Sequence, residues 1–308
     1  MTTAQKTLLA SALVAAAGCL WGLYWVPVRA LSAAGWPGAL GSVIIAVIAG
    51  VLLAPVVGFR RFAWRRADRV GVMATAVGGS AFMLYSVGIV EARVAVVILL
   101  FYLTPVWTTL LTRFVFGHAV HPIRYGVIVL GLFGLFLTLG RGGFLPLPQR
   151  AGEWYALLAG LFWSLGSIGI STRSDLPAIE STFVFVIGAL TTALVLFGID
   201  PALPLGTIWP PAATTVAWAI AAGVFWWIAS MIALVWATSY LEPARVGILL
   251  MSEVLVGVIS AALFAGETMS GLQWAGGVLL ISAAVLDVVS DRWVASATPP
   301  DVDGANAG

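Results

Sequence analysis

The residue of this chain with the clearest chemical potential is an acid inside an apolar stretch. Glu253 is the only charged residue between Arg245 and Glu267. A carboxyl group in such surroundings can bind an ammonium group, carry a proton or make a hydrogen bond to a neighbouring helix. Gly257 and Ser260 follow at helical spacing and share a face with it. We interpret Glu253 as a substrate-binding residue and a proton-coupling candidate, with a structural hydrogen bond as the alternative.

Aromatic side chains, among them 14 tryptophans, are the second group that could form a binding site. Trp21, Tyr24 and Trp25 occupy positions i, i+3 and i+4, which places them on one helix face. Such rings offer stacking surfaces and, towards a desolvated amine, cation–π contacts. Packing against lipid is the alternative for each ring. The aromatic residues predicted to bind substrate are Trp21, Tyr24, Trp25, Phe82, Tyr85, Tyr102, Trp163 and Trp226.

A proline interrupts the apolar segment that contains Tyr102. Pro105 has no N–H group, so the carbonyl of Phe101 loses its usual helical donor. We therefore predict a helix kink at Pro105. Kinked or broken helices near the bilayer centre are typical of transport sites.

Several other chemistries lack the residues that they need. His118 and His121 have no cysteine or acid close to them in the sequence, so we predict a plain loop there and no metal site. Neither histidine lies in an apolar segment, which argues against haem ligation and against an intramembrane serine protease. No GxxxxGK[ST] motif is present to bind ATP. We predict that the chain is not an enzyme and uses no cofactor. Asp287, near the end of its segment, is interpreted as solvated.

The composition requires that membrane-spanning helices position these residues. Of 308 residues, 61% are hydrophobic and 9% are charged, whereas soluble domains carry about 25% charged residues. This balance excludes a soluble enzyme, a nucleic-acid binder and a disordered chain as first interpretations. The charged residues delimit ten apolar segments, the fifth being the shortest, and barrel strands would instead alternate with period two. We predict an all-α polytopic membrane protein with ten transmembrane helices.

The two halves of the chain repeat one another. AGCLWGLYWV (17–26) matches AGLFWSLGSI (159–168), and ARVAVVILL (92–100) matches ARVGILLMS (244–252). Five spans per half is an odd number, so the second half must enter the membrane in the opposite orientation. Inverted repeats of this kind are typical of secondary transporters, with the site near the midplane. The predicted units are a first repeat at 1–145, a second repeat at 146–292 and a disordered cytoplasmic tail at 293–308.

The basic residues predict the orientation of the spans. If the N-terminus is cytoplasmic, most Lys and Arg residues lie on the cytoplasmic side, with the cluster RRFAWRRADR (60–69) as the largest contributor. We interpret that cluster as a topology determinant that touches anionic lipid. The expectation is a multi-pass protein of the bacterial inner membrane with both termini in the cytoplasm.

With these repeats the chain resembles the drug/metabolite transporter superfamily, EamA family. The resemblance covers two units, about 7–140 and 153–290, through AGCLWG, AGLFWS, EARVAVVILLFYLTPVWTTLL (91–111) and EPARVGILLMSEVLVGVISAALFAGETMSGLQWAGGVLLI (242–281). It implies a ten-helix metabolite transporter, usually an exporter. The stretch from Tyr102 to Pro105 and the aromatic content are similar to the YddG-type aromatic amino acid exporters. The first half departs from the family pattern, since Phe101 stands where the second half has Glu253.

Taken together, these patterns favour a secondary transporter that exports small amphipathic metabolites by alternating access around a midplane cavity. Amino acids, aromatic ones first, are the leading substrate class. The predicted partners are a small-molecule substrate and the lipid bilayer, with protons as a candidate coupling ion; the sequence defines no oligomeric state. The alternatives are a broad drug or nucleotide-metabolite exporter, and a membrane-embedded lipid-modifying enzyme.

Overall fold

The computed structural model describes residues 2–60, 67–117, 121–139, 147–199 and 212–297, with only the backbone for Pro243, Ala244 and 290–297. This part of the chain forms ten helices and contains no strand, which confirms the predicted all-α polytopic fold. The helices are α1 Thr3–Ala33, α2 Ala39–Phe59, α3 Arg69–Glu91, α4 Val94–Val115, α5 Ile123–Leu139, α6 Ala151–Arg173, α7 Ala178–Ile199, α8 Ala213–Thr238, α9 Pro243–Phe264 and α10 Gly271–Ala297.

The lengths of these helices suit a bilayer. Nine of the ten helices in the described ranges are long and apolar enough to cross a membrane. Helix α5 is shorter, with 17 residues, which extend about 25 Å at 1.5 Å per residue. That length is close to the hydrocarbon thickness of roughly 30 Å. It corresponds to the shortest of the ten apolar segments in the sequence.

The contacts between helices follow a twofold pattern. In the first repeat α3 and α4 both pack on α6 of the second repeat. Their equivalents in the second repeat, α8 and α9, both pack on α1 of the first repeat. Helix α3 also packs on α7 as α8 packs on α2. The pairs α2–α7 and α5–α10 join equivalent helices of the two repeats. Because each repeat has five helices, this pairing belongs to an inverted 5+5 repeat, as predicted.

Helix α4 is interrupted beside its proline. Regular turns stop at Phe101 and resume at Thr104, with Tyr102 and Leu103 in the turn between them. Pro105 cannot donate a hydrogen bond to the carbonyl of Phe101. The Thr104 hydroxyl donates to that carbonyl instead, at 2.7 Å. The break therefore leaves no unsatisfied backbone acceptor at Phe101.

Helix α1 contains an equivalent break that the sequence prediction did not include. Its turns stop at Gly22 and resume at Trp25. Pro27 lies four residues after Leu23, so the Leu23 carbonyl loses its helical donor and accepts from the N–H of Val26 at 3.0 Å. Pro27 is thus the sequence signal for this break, as Pro105 is for the one in α4.

Two helices also contain wide π turns, Leu111–Val115 at the end of α4 and Ala222–Ala229 inside α8. Such segments often occur near functional sites.

Near the C-terminus, the backbone of α10 remains helical to Ala297, beyond the predicted start of the tail. Residues 298–308 of that tail, residues 61–66 of the basic cluster and His118 lie outside the described residues.

Glycine permits the closest contact between the two repeats. A Cβ atom at Gly79 of α3 would overlap with the carbonyl oxygen of Phe185 in α7. We expect Gly79→Ala to lower the free energy of unfolding by about 1–3 kcal/mol, because overpacking forces the helices apart. The matched control is Gly126→Ala in α5, where no heavy atom lies within 4 Å. That change should be neutral or stabilise the helix by up to about 1 kcal/mol. Thermal unfolding in detergent measures both changes, and equal transition temperatures would show that the contact is absent.

Candidate functional site

A cavity of about 230 Å³ lies between the two repeats. Helices α1, α3 and α4 of the first repeat and α6, α8, α9 and α10 of the second form its walls. Among the lining residues in the described part of the chain, the charged ones are the acids Glu253 and Asp287. The predicted residues that line the cavity are Trp21, Phe82, Tyr102, Pro105, Trp163 and Glu253.

Glu253 is the polar centre of this cavity. Its side chain is 5% exposed, and the Tyr102 hydroxyl lies 3.3 Å from its Oε2 and 3.2 Å from the carbonyl of Leu250, to both of which it can donate. The Tyr85 hydroxyl also lies beside the carboxyl group. The other carboxyl oxygen, Oε1, has no hydrogen bond among the described residues. Since buried carboxyl oxygens normally have a partner, the donors that could satisfy Oε1 are the adjacent Tyr85 hydroxyl and a group on a ligand.

Four rings form a continuous aromatic wall next to Glu253, and Phe82 is at the centre of it. Its ring centroid lies 4.7 Å from that of Trp21, 5.1 Å from Trp163 and 5.9 Å from Phe101. All three pairs meet edge to face, a favoured aromatic geometry. Tyr85 packs on Phe101 at 5.0 Å. The wall therefore joins helices from both repeats around one apolar space.

Four of the predicted aromatic residues lie outside the lining of the cavity, and three of them join helices instead. Trp25 donates from its indole to the Ser260 hydroxyl at 2.9 Å, and Trp226 donates to the carbonyl of Leu20 at 2.6 Å. Tyr24 is fully buried and accepts from the Trp227 indole at 2.8 Å. These partners account for polar groups that would otherwise be unsatisfied in an apolar core. Tyr85 is likewise not part of the lining, although its hydroxyl reaches Glu253.

The cavity also contains residues that the sequence did not identify. Phe101, Met231 and Met251 add apolar surface. Asp287 lines the cavity and is not solvated as expected, because its side chain is only 15% exposed and lies 3.9 Å from the Arg124 guanidinium. An acid near the end of an apolar segment is easily taken for a solvated residue, and the packing of α5 against α10 gives Asp287 its surroundings.

Beyond Glu253, helix α9 is packed tightly against the first repeat. Gly257 contacts Gly22 and Ile98 so closely that a Cβ atom would overlap the Ile98 side chain. One turn further, Ser260 accepts from the Trp25 indole at 2.9 Å. These layers lie along roughly 16 Å of α9 between Glu253 and its last residue, and they close the cavity at this end.

An ion pair completes that closed end. Glu267, which follows α9, accepts from Arg29 of α1 at 3.0 Å. Its carboxylate also accepts from the backbone N–H groups of Val94 at 2.8 Å and Ala95 at 3.1 Å. A carboxylate at a helix N-terminus is favoured by the unpaired N–H groups and the helix dipole. Glu267 therefore connects α9, α1 and the start of α4, and we call Arg29 and Glu267 the latch.

A second basic residue strengthens the same end. Arg93 donates to the Gln273 side chain at 3.2 Å and to the carbonyl of Thr268. Gln273 in turn donates to the carbonyl of Thr138 in α5 at 3.3 Å. These contacts tie the α9–α10 loop to helices of the first repeat.

The described residues contain no group of three or more His, Cys, Asp or Glu side chains that could hold a metal ion. The polar groups of the cavity are instead a carboxyl group, an ion-paired acid and hydroxyls. Such a set suits a hydrogen-bond donor or a cation as ligand.

A protein-family model described as the EamA-like transporter family matches residues 8–140 and 150–288. The two matched stretches correspond to the two structural repeats, and together they cover most of the chain.

Comparison with individual proteins gives more distant similarities. A protein of Escherichia coli (strain K12) named "Probable amino-acid metabolite efflux pump" is 26% identical over 198 residues. That alignment covers 61% of this chain and 64% of the relative, so this chain matches a little less than two thirds of the relative's length. A crystal structure that is 18% identical in sequence superimposes with a TM-score of 0.57 over 92% of this chain and 98% of the other. This second similarity shows the fold.

Proposed function

Because this chain belongs to the EamA-like transporter family, we propose that it is a secondary transporter that exports small amphipathic metabolites by alternating access. Amino acids, with aromatic ones first, are the proposed substrate class. The relative named as an amino-acid metabolite efflux pump supports this class. Proton coupling through Glu253 is part of the proposal.

The observation that carries the proposal is the buried carboxyl group facing an aromatic wall inside one cavity. A substrate ammonium group can approach the Glu253 carboxyl group, whose Oε1 has no hydrogen bond in the described residues, while its apolar side chain packs against Phe82 and Trp163. A ring close to a desolvated cation adds cation–π attraction. The wall includes rings of both repeats and the acid belongs to the second, so a bound substrate would contact both repeats.

The closed and accessible ends of the bundle support alternating access. From Glu253, the cavity lining continues towards the start of α9 through Leu250 and Gly247. Towards the end of α9, the packing at Gly257 and the latch close the cavity. In an inverted repeat, rocking of the repeats can exchange the closed and the accessible ends around a fixed site.

The positive-inside rule supports the orientation that we propose, with both termini in the cytoplasm of a bacterium and the protein in its inner membrane. The accessible end of the cavity would then face the cytoplasm, as an exporter needs for loading. Basic residues whose side chains are described and that lie at this end are Lys6, Arg60, Arg69, Arg113, Arg124, Arg173 and Arg245, whereas Arg29, Arg93 and Arg150 lie at the other end.

The two alternatives receive less support from the cavity. Nucleotide metabolites carry phosphate groups, and no Lys, Arg or His lines the cavity in the described part of the chain. A volume of about 230 Å³ is also below the range of roughly 300–1,000 Å³ that drug-sized ligands occupy. The other alternative, a lipid-modifying enzyme, differs in its outcome, because it would convert lipid without moving a solute.

Counterflow in proteoliposomes tests the proposed function. Vesicles preloaded with one unlabelled amino acid or dye are diluted into the same compound in labelled form. Transient accumulation above the level of protein-free vesicles is expected for at least one aromatic amino acid. Accumulation of dyes alone would indicate a drug exporter. Lipid conversion without counterflow would instead indicate an enzyme.

A tryptophan at the centre of α6 provides a further prediction. Trp163→Ala removes part of the aromatic wall, and we expect transport to fall about tenfold or more, because a buried aromatic side chain contributes about 1.5–3 kcal/mol. Membrane insertion should be normal. The matched control is Trp154→Ala in the same helix, since Trp154 is 49% exposed and contributes nothing to the lining. Initial rates of counterflow at equal protein density measure the effect. Equal rates for the two variants would remove Trp163 from the site.

A further inference from the structure

The charges that line the cavity are all of one sign. Glu253 and Asp287 are acids, and no basic residue lines the cavity in the part of the chain that the structure describes. Arg124 pairs with Asp287 at 3.9 Å, and within the described ranges the polar groups beside the Glu253 carboxyl group are the Tyr85 and Tyr102 hydroxyls. The cavity thus provides a counter-charge for an ammonium group and none for a carboxylate.

The hydrogen-bonding groups of the cavity also favour an ammonium group over a carboxylate. Glu253 lines the cavity and is 5% exposed, and its Oε1 atom has no hydrogen bond in the described residues. The Thr104 hydroxyl already donates to the carbonyl of Phe101, and the Trp21 indole donates to Ser230 at 2.9 Å. The Thr108 hydroxyl is neutral and can donate to an amide or ester carbonyl. It does not balance the charge of a buried carboxylate.

A zwitterion would therefore be a weaker ligand for this site than a monocation of the same size. Transfer of an unpaired carboxylate from water into an apolar site has a large desolvation penalty. Here the ionised form of Glu253 would also repel it. An ammonium group next to Glu253 and the aromatic wall has both a counter-charge and rings within reach.

We infer that the cavity selects organic monocations: aromatic or apolar amines, and amino-acid derivatives whose carboxyl group is amidated or esterified, in preference to the free amino acid. This inference rests on the proposed function as a transporter of amino-group metabolites. It specifies the charge state of the substrate that the transporter accepts. Glu253 is then the main residue that determines specificity, because it excludes negative charge, and Asp287 contributes less because Arg124 pairs with it.

The test compares four compounds that share one phenyl ring: phenylalaninamide, phenethylamine, phenylalanine and 3-phenylpropionate. Counterflow of each compound is measured in wild-type proteoliposomes at about pH 7, where most α-amino groups are still protonated and carboxyl groups are more fully ionised than at lower pH, with protein-free vesicles subtracted. We expect the amide and the amine to exchange at least about tenfold faster than phenylalanine, a difference equivalent to about 1.4 kcal/mol. The propionate, an anion, should not exchange.

The outcomes separate the inference from the proposed function. If phenylalanine exchanges as fast as its amide or faster, the charge selection is wrong while the transporter function stands. If none of the four compounds exchanges, the proposed function for aromatic amino compounds fails, and the inference fails with it. A second arm uses Asp287→Asn, which removes one negative charge from the lining. The ratio of amide to free-acid exchange should then decrease several-fold; an unchanged ratio would overturn the role of Asp287 in selection.

Discussion

Replacing Glu253 by glutamine is expected to lower substrate exchange by about 30- to 3,000-fold while the protein still folds. Loss of one partner from a buried charge pair typically costs about 2–5 kcal/mol, and each 1.4 kcal/mol is a factor of ten. Glutamine keeps the size of the side chain and an oxygen that can accept from the Tyr102 hydroxyl. The loss would therefore reflect the missing charge rather than a changed structure.

The control for this substitution lies at the start of the same helix. Glu242 is exposed and precedes the first turn of α9. Glu242→Gln should leave exchange unchanged, while both variants should elute as monodisperse protein and unfold at similar temperatures. Glu253→Gln protein with wild-type exchange would show that its carboxyl group does not bind the substrate.

The pH profile separates the two roles proposed for Glu253. If it carries the coupling proton, exchange by the wild type depends on pH, and the residual exchange of Glu253→Gln does not. The other titratable groups near it are Tyr85 and Tyr102 beside the carboxyl group and Asp287 across the cavity. An identical pH profile in wild type and variant would rule out proton coupling at Glu253 and leave amine binding as its function.

The second large effect is expected at the latch, where Glu267→Gln should shift the protein towards the state that is accessible from the opposite side. The substitution weakens three charge-assisted contacts, those with Arg29, Val94 and Ala95. Hydrogen bonds to charged groups contribute about 1.5–3 kcal/mol each. A net loss of roughly 2–3 kcal/mol would change the equilibrium between the two states by about 30- to 150-fold.

A cysteine reporter in the cavity measures this shift. The chain has one cysteine, so Cys19→Ser gives a cysteine-free background, and Thr108→Cys places a thiol in the lining of the cavity. An impermeant maleimide should label this thiol from the side of the N-terminus in the wild-type background. Labelling from that side should slow in Glu267→Gln, and labelling from the opposite side should appear.

The control for the latch is a more exposed ion pair between α6 and the residue that precedes α3. Asp68 and Arg173 lie 3.5 Å apart with side chains 32% and 63% exposed, and pairs of this kind contribute about 0–1 kcal/mol. Asp68→Asn should change the labelling rates by no more than a few-fold. Identical labelling of the wild type and Glu267→Gln would mean that the latch does not hold the closed end.

The helices and their arrangement could be predicted from the sequence because charge is so costly inside a bilayer. The gaps between charged residues mark the spans, and even the shortest gap corresponds to a helix, α5. Five matched spans per half require the inverted arrangement. Glu253 could be identified for the same reason, since an acid in a long uncharged segment has few structural explanations.

The side chains that line the cavity were harder to predict, because helical spacing shows which residues share a face but not which neighbour that face meets. Trp21 and Trp25 lie one turn apart, yet Trp21 lines the cavity and Trp25 binds Ser260 outside it. Asp287 depends on the approach of α5, a contact distant in sequence. The break in α1 could have been predicted, because Pro27, like Pro105, has no N–H group to donate to the carbonyl four residues before it.

The most direct test of the central claim is whether the cavity is the path of transport. Thr108→Cys protein in the Cys19→Ser background is reconstituted, and counterflow of an aromatic amino compound is measured before and after complete alkylation by an impermeant maleimide. We predict that alkylation stops counterflow and that excess substrate slows the alkylation itself. Full counterflow after complete alkylation would contradict transport through the cavity around Glu253.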